Sequence, residues 1–341
     1  MAPDAVNTVA DQATVVCAIV LKNERWILGD FLTAASEWAD VIVVADNGSS
    51  DGSVEIATAF EKVRLINVGD DFNEFRRRKA VIDAARQVPG KRLIIGLDAD
   101  EMLSATWRTS AEWQHMLGSP AGTLFHLDWV FALPGLCECI SPSQLPFALV
   151  DDGTPYKAPP IHSPRVPINT SGHVETMREI KVLHFAFLDL DRVLAKHRFY
   201  QCIESVYRSR TPFELCIEYF GPRFTTYGQP LIPLHQELLA GLPIPETAPD
   251  RDGVYWHDDR ALEMLVEYGA ATFRKADIWS KDWAELARLR GYPPVTDPRT
   301  PVERMVHSMI DRNRDWLTRP TTLPQRAVRK ALRLIAPLLA W

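Results

Sequence analysis

Residues 41–53, VIVVADNGSSDGS, set a β-branched apolar run directly against a turn rich in Asp, Asn, Gly and Ser. Val41–Ala45 is too short for a helix and shows no alternation of apolar and polar residues. It therefore reads as a strand buried on both faces. The same form recurs on either side, in Val15–Leu21 (VVCAIVL), Val63–Val68 and Arg92–Leu97 (RLIIGL). Between these runs the apolar spacing turns helical. Trp26, Ile27, Phe31, Leu32 and Ala35 mark a helix over Glu24–Trp38, followed by helices over Val54–Phe60 and Glu74–Gln87. Strand and helix alternating at this pitch predict an α/β, doubly wound, mostly parallel sheet with covering helices.

Beyond this core, Thr123–Ala132 (TLFHLDWVFA) reads as a fifth strand and Lys181–Phe187 (KVLHFAF) as another buried one. Eight prolines between Pro134 and Pro167 predict loops and edge strands in that interval. Asp191 is the expected N-cap of a helix carrying Val193, Leu194, Phe199 and Ile203. Further helices are expected over 258–272, 280–290 and 301–317. The implied organisation is a flexible N-terminus (1–12), a catalytic domain (13–221), a loop-and-helix C-terminal region (222–324) and a basic amphipathic helix (325–341).

Composition bounds the class. The chain has 341 residues, 46% hydrophobic and 24% charged, which is ordinary globular usage and excludes wholesale disorder. At about 150 residues per domain, two domains or one large domain with an appendage are expected. A net charge of −6 lacks the footprint of a nucleic-acid binder. The five scattered cysteines contain no CxxC pair, which argues against a disulfide framework and a thiolate zinc site. No signal peptide and no spanning segment are evident, so the expected location is cytoplasmic.

In an open α/β sheet, ligands bind beyond the carboxyl ends of the strands. Those ends carry Lys22-Asn23-Glu24, then Asp46 through Gly52, then Asn73 with Arg76-Arg77-Arg78, then Asp98-Ala99-Asp100-Glu101. Asp98 and Asp100, two apart past a buried strand, can aim oxygens at one hard cation such as Mn2+ or Mg2+. The arginines stand near a helix start, where phosphate is favoured. Together these groups describe a pocket for a metal-bound diphosphate. Each also has a plainer explanation, since DNGSSDGS has turn composition, DADE can cap a helix and FRRRK can be a solvated face. Gly48 and Gly52 form no GxGxxG fingerprint, and His162 and His173 have no metal-site spacing.

The runs KNERWI, VIVVADNGSSDGS, FNEFRRRKAVIDAAR and LIIGLDADEML resemble family 2 glycosyltransferases of the GT-A (nucleotide-diphospho-sugar transferase) fold, and within them a bacterial KNE/DxDE branch. The resemblance spans roughly residues 13–205. It implies a nucleotide-sugar donor, Mn2+ or Mg2+, and a glycan, lipid-linked or small-molecule acceptor. It implies that Asp46 binds the base or ribose and that Lys22, Asn23 and Glu24 line the nucleotide side. One or more of Arg76, Arg77 and Arg78 would lie near the diphosphate. Asp98 would face ribose and metal, Asp100 would bind the metal, and His184 would complete the metal or diphosphate contacts. Lys196 and Tyr200 would contact the diphosphate or acceptor. Transfer would be inverting, with Asp189 or Asp128 as the carboxylate that deprotonates the acceptor, because the family's usual acidic pair is not evident. A nucleotidyltransferase or pyrophosphatase, or a silent nucleotide-sugar binding module, are the competing readings. KNERW is not the glycine-rich loop of the first, and the intact DxD disfavours the last.

The C-terminal segment projects Val328, Leu332, Ile335 and Leu339 on one helical face, opposite Arg326, Arg329, Lys330 and Arg333. Two outcomes are open. The helix lies in a membrane interface as a peripheral anchor on the inner face, or its apolar stripe packs on protein.

Overall fold

The computed structural model describes residues 12–71, 73–160, 162–168, 172–208, 210–219, 229–244, 255–314, 317 and 322–335. The expected flexible N-terminus lies outside the described residues, apart from Gln12. Four strands open the fold as expected: β1 (Thr14–Leu21), β2 (Val41–Asp46), β3 (Val63–Asn67) and β4 (Arg92–Asp98). They are mutually parallel in the order β3-β2-β1-β4. Helices α1 (Arg25–Trp38), α2 (Ser53–Thr58) and α3 (Glu74–Ala85) connect them. Val16, Cys17, Ala18 and Ile19 are all essentially inaccessible, which is why the run is continuously apolar rather than alternating. On one face Val16, Ala18, Val43, Ala45 and Ile94 pack on Val81, Ile82 and Ala85 of α3. Helix α1 buries Ile27, Leu28, Phe31 and Leu32. Full burial of each such side chain contributes about 1.5–3 kcal/mol.

The sheet continues with β5 (Glu101–Leu103), β6 (Leu124–Ala132), β7 (Glu138–Val150) and β8 (Val174–His184) in the order β4-β7-β6-β8-β5, and β9 (Leu231–Pro233) pairs β7. Helix α4 (Ala111–Gly118) precedes β6. The proline-rich interval therefore holds a long interior strand, against the expectation of loops and edges. Pro146 fits because the β6–β7 register slips between Phe125 and His126, pairing His126 with Pro146. The ladder between β7 and β4 is confined to Ala148, Leu149 and Val150, so the missing N–H of Pro146 breaks no bond there.

Two compact units emerge, Met1–Phe185 with Ile232–Thr247, and Ala186–Leu231 with Ala248–Trp341. The first unit's main stretch thus ends just after β8, and residues from Ile232 onward in β9 belong to it again. The second unit holds α5 (Leu190–Tyr207), α6 (Pro212–Glu218), α7 (Trp256–Tyr268), α8 (Trp283–Arg290), α9 (Pro301–Arg312) and α10 (Leu323–Ile335). The N-cap of α5 is Asp189, whose side chain accepts from the Arg192 N–H at 3.0 Å, and not Asp191, which lies in the first turn. Helix α7 ends at Tyr268, capped by Gly269, and α8 begins at Trp283, both shorter than the apolar pattern suggested. No helix among the described residues is long and apolar enough to cross a membrane.

Candidate active site

The rim above β1 and β2 is tied together by side chains. Lys22 is buried, and its Nζ donates to the Asn47 carbonyl at 2.9 Å and to Asp70 Oδ1 at 3.0 Å. Asn23 adopts φ 54° and accepts from the Ser50 N–H on Oδ1 at 2.8 Å, while its own N–H donates to Ser49 Oγ at 2.9 Å. The Glu24 N–H donates to Ser53 Oγ at 3.0 Å, and its carboxylate accepts from Trp26 Nε1 at 2.8 Å. The KNE run thus holds the first rim loop onto the second. Asp46 is buried at the end of β2 and accepts from the N–H groups of Gly48 and Ser49, both at 3.1 Å. Such local carboxylate turns hold Asp46 in place beneath the DNGSSD loop.

Of the three arginines starting α3, only Arg78 is fully buried; the Arg76 side chain is 70% exposed and Arg77 is half-buried. Arg78 pairs with Asp98 Oδ1, and Nη1 donates to the Leu97 carbonyl at 3.4 Å. The other Asp98 oxygen accepts from Arg165 Nη2 at 2.8 Å. Arg165 also donates through Nε to Glu101 Oε2 at 2.9 Å and pairs with Glu101 Oε1. Its guanidinium stacks over Trp129 and Phe147. Glu101 is fully buried and also accepts from the Asp98 N–H at 2.8 Å. Burial alone would lower the Arg165 pKa, but Asp98 and Glu101 more than offset it and hold it above the ordinary value. Arg78 is held up in the same way, with Asp98 and Glu74 outweighing its burial.

Arg165 was not anticipated from sequence. The one trace of it is Gly96 inside a buried strand, since a Cβ there would lie 2.5 Å from the Arg165 carbonyl oxygen. Glycine in a strand interior marks the close approach of another backbone.

Asp98 and Asp100 meet different partners. The chain turns after Asp98, and β5 pairs antiparallel with β8, setting Glu101 opposite His184. The Asp100 carbonyl accepts from the Phe185 N–H at 2.9 Å, and Asp100 Oδ2 lies 3.3 Å from His184 Nε2. Both side chains are buried. The His184 ring stacks on Trp129, centroids 5.0 Å apart, with Phe131 edge-on at 4.9 Å. His184 Nδ1 and Trp129 Nε1 are buried and, among the described residues, have no hydrogen-bond partner. An imidazole nitrogen and a carboxylate oxygen at this separation fit neighbouring positions on one Mn2+ or Mg2+ ion, whose cis ligands sit about 3 Å apart. Among the described residues no three His, Cys, Asp or Glu side chains form a metal-holding group. Asp100 and His184 are the two candidate donors that the fold sets side by side.

Asp128 is not brought to this pair. It accepts from Lys181 Nζ at 2.7 Å and from Gln144 Nε2 at 3.3 Å. Alternation along β6 places it on the sheet face opposite Trp129 and His184. Asp189 lies in the second unit. Besides capping α5 it accepts from Tyr255 Oη at 2.9 Å, and burial together with this carboxylate raises the Tyr255 pKa. Lys196 is half-buried on α5, also in the second unit.

Residues 17–109 match the family model for glycosyl transferase family 2. No curated protein sequence matches the chain. Among solved structures, a mycobacterial protein is similar with 15% identity and TM-score 0.26, covering 36% of this chain and 42% of its own. This chain thus spans less than half of that relative. The S. aureus TarS 1-349 structure is similar with 10% identity and TM-score 0.37, covering 94% of this chain and 91% of its own. The structure of TarS 1-349 in complex with UDP shows 8% identity and TM-score 0.34 over 94% and 91%.

Proposed function

We propose that the protein is a glycosyltransferase moving a sugar from a nucleotide-sugar donor to a glycan, lipid-linked or small-molecule hydroxyl, by a metal-dependent, inverting displacement. The observation that supports this reading is the buried Asp100–His184 pair, held in the same sheet that carries the Asp46 loop and the stretch matching family 2. Asp46 and the tied KNE and DNGSSD loops receive the nucleoside. Arg78 and Arg165 hold Asp98 at the floor of this end of the sheet. When bound between Asp100 and His184, Mn2+ or Mg2+ supplies positive charge to the departing diphosphate. In an inverting transfer the acceptor oxygen bonds to the anomeric carbon as the bond to the diphosphate breaks, and a carboxylate takes the acceptor proton. Of the two carboxylates named for that role from sequence, Asp128 is engaged by Lys181 and Asp189 by Tyr255 Oη.

Calorimetric titration with UDP, GDP and dTDP, with and without Mn2+, tests the proposal. Metal-dependent, saturable binding of one nucleotide is expected, with turnover of its sugar reduced about a hundredfold or more in Asp100→Asn. Absence of binding to every nucleotide and nucleotide-sugar, or unaltered metal dependence in Asp100→Asn, would refute it.

A further inference from the structure

The C-terminal helix presents a different apolar surface from the one projected from sequence. Leu332, one of the four stripe residues, packs against Phe213, Cys216, Ile310 and Leu317, together with Ile217 and Val306. The face of α10 toward the protein is thus the edge bearing Leu332, while Leu339 lies outside the described residues. What faces outward is a second apolar arc: Leu323 (79% exposed), Ala327, Val328 (42%), Ala331 and Leu334 (64%). These positions fall together in helical projection, flanked on the far side by the exposed Arg326 and Lys330.

The neighbouring α9 extends this surface. Val302, Met305 and Met309 are each at least half exposed and share one side of the helix. In projection they run through Val306 into Ile310, the two α9 residues grouped with Leu332. The apolar arc of α9 therefore continues, with no polar interruption, to the edge where α10 packs. Its acids are withdrawn: Glu303 is buried against Arg274 and Asp311 against Arg314. The charged residues left exposed on α9 are Arg304 and Arg312.

Charge decides the occupant. From residue 316 to 341 the chain contains five basic residues (Arg319, Arg326, Arg329, Lys330 and Arg333) and no acid. Two copies of such a surface would oppose cation to cation, whereas an apolar stripe edged by Arg and Lys complements acyl chains beneath anionic headgroups. We infer that α9 and α10 together form a monotopic membrane-binding face for an anionic lipid surface, with Val302, Met305, Met309, Leu323, Val328 and Leu334 as the inserted side chains. This inference does not rest on the proposed glycosyl transfer.

Co-sedimentation of the full chain with vesicles of phosphatidylcholine, with and without phosphatidylglycerol, tests it. The wild-type chain is expected to bind the anionic vesicles about tenfold or more tightly than neutral ones, and less tightly at raised salt. Leu323→Glu/Leu334→Glu and Met305→Glu/Met309→Glu should each reduce binding about tenfold or more, and Arg326→Glu/Lys330→Glu should abolish the anionic preference. These positions are exposed, so thermal unfolding and nucleotide titration of the variants should match wild type. That separates failure here from failure of the enzymatic reading. Wild-type indifference to both vesicle types, or variants that bind as wild type does, would overturn the inference. So would a dimer in light scattering that the Met305→Glu/Met309→Glu variant dissociates without any lipid effect.

Discussion

Replacing Arg165 by Met should destabilise the first unit by about 3–5 kcal/mol, the usual effect of removing one partner from a buried ion pair. The magnitude follows from what would remain. Glu101 is fully buried, and of its bonds to Arg165 and to the Asp98 N–H only the latter survives, while Asp98 loses the donor at 2.8 Å on one oxygen. Methionine retains the apolar contact with Trp129 and Phe147, so packing loss is small beside the exposed deficit of a buried carboxylate. Chemical denaturation followed by Trp fluorescence measures it. One further outcome is bound to the same reasoning. Arg165→Met/Glu101→Met should recover most of the loss, because removing both charges leaves no unpaired carboxylate. A single-variant loss below about 1 kcal/mol, or a double variant worse than the single, would show that Arg165 does not clamp this strand end.

Asp151 is a buried carboxylate held by Arg86 at 2.8 Å and Arg92 at 3.0 Å; burial opposes its ionisation, but these bonds prevail and lower its pKa. Its contribution to stability is present above the unfolded carboxyl value and lost as pH falls through the lowered one, so Asp151→Asn should lose about 3 kcal/mol at neutral pH and flatten the acid limb of a pH–stability curve. Gly96→Ala should lose about 2 kcal/mol or more in thermal unfolding, since its Cβ meets backbone rather than a movable side chain at Arg165. Asp189→Asn keeps a good N-cap for α5 but removes the carboxylate that accepts from Tyr255 Oη, so helix content should hold in circular dichroism while chemical denaturation shows a loss of about 1–2 kcal/mol; unchanged stability would show that the Tyr255 bond contributes nothing.

The parallel half of the sheet was legible because its strands are buried on both faces, and Val16–Ile19 or Ile42–Ala45 can then be nothing but apolar. Its rim was legible for the converse reason, as Asp46, Asn47 and Asp51 follow such runs without a break. The remainder depended on pairing between distant segments, which local pattern does not encode. Pro146 argued against an interior strand, and only the register slip opposite His126 removes the objection. Three successive arginines on α3 looked equivalent until packing turned Arg78 inward. The C-terminal stripe was correctly amphipathic, yet Leu332 belongs to the protein-facing edge and Leu334 to the outer one.

The DxD spacing shows where such inference must change rules. Along a strand, residues two apart face the same side, and on that basis Asp98 and Asp100 share one target. The rule lapses at the strand end. β4 stops at Asp98, the next two residues form a turn, and Glu101 starts a strand belonging to a different neighbour. Asp98 keeps the orientation of β4 and meets Arg78 and Arg165, which arrive from α3 and from the segment crossing over Gly96. Asp100 takes its orientation from the β5–β8 ladder, which delivers His184. One aspartate is thereby fixed by the guanidinium groups of Arg78 and Arg165, and the other is set beside the His184 imidazole. The division of labour between two acids in one short motif is thus a product of topology, set by the strand each acid answers to.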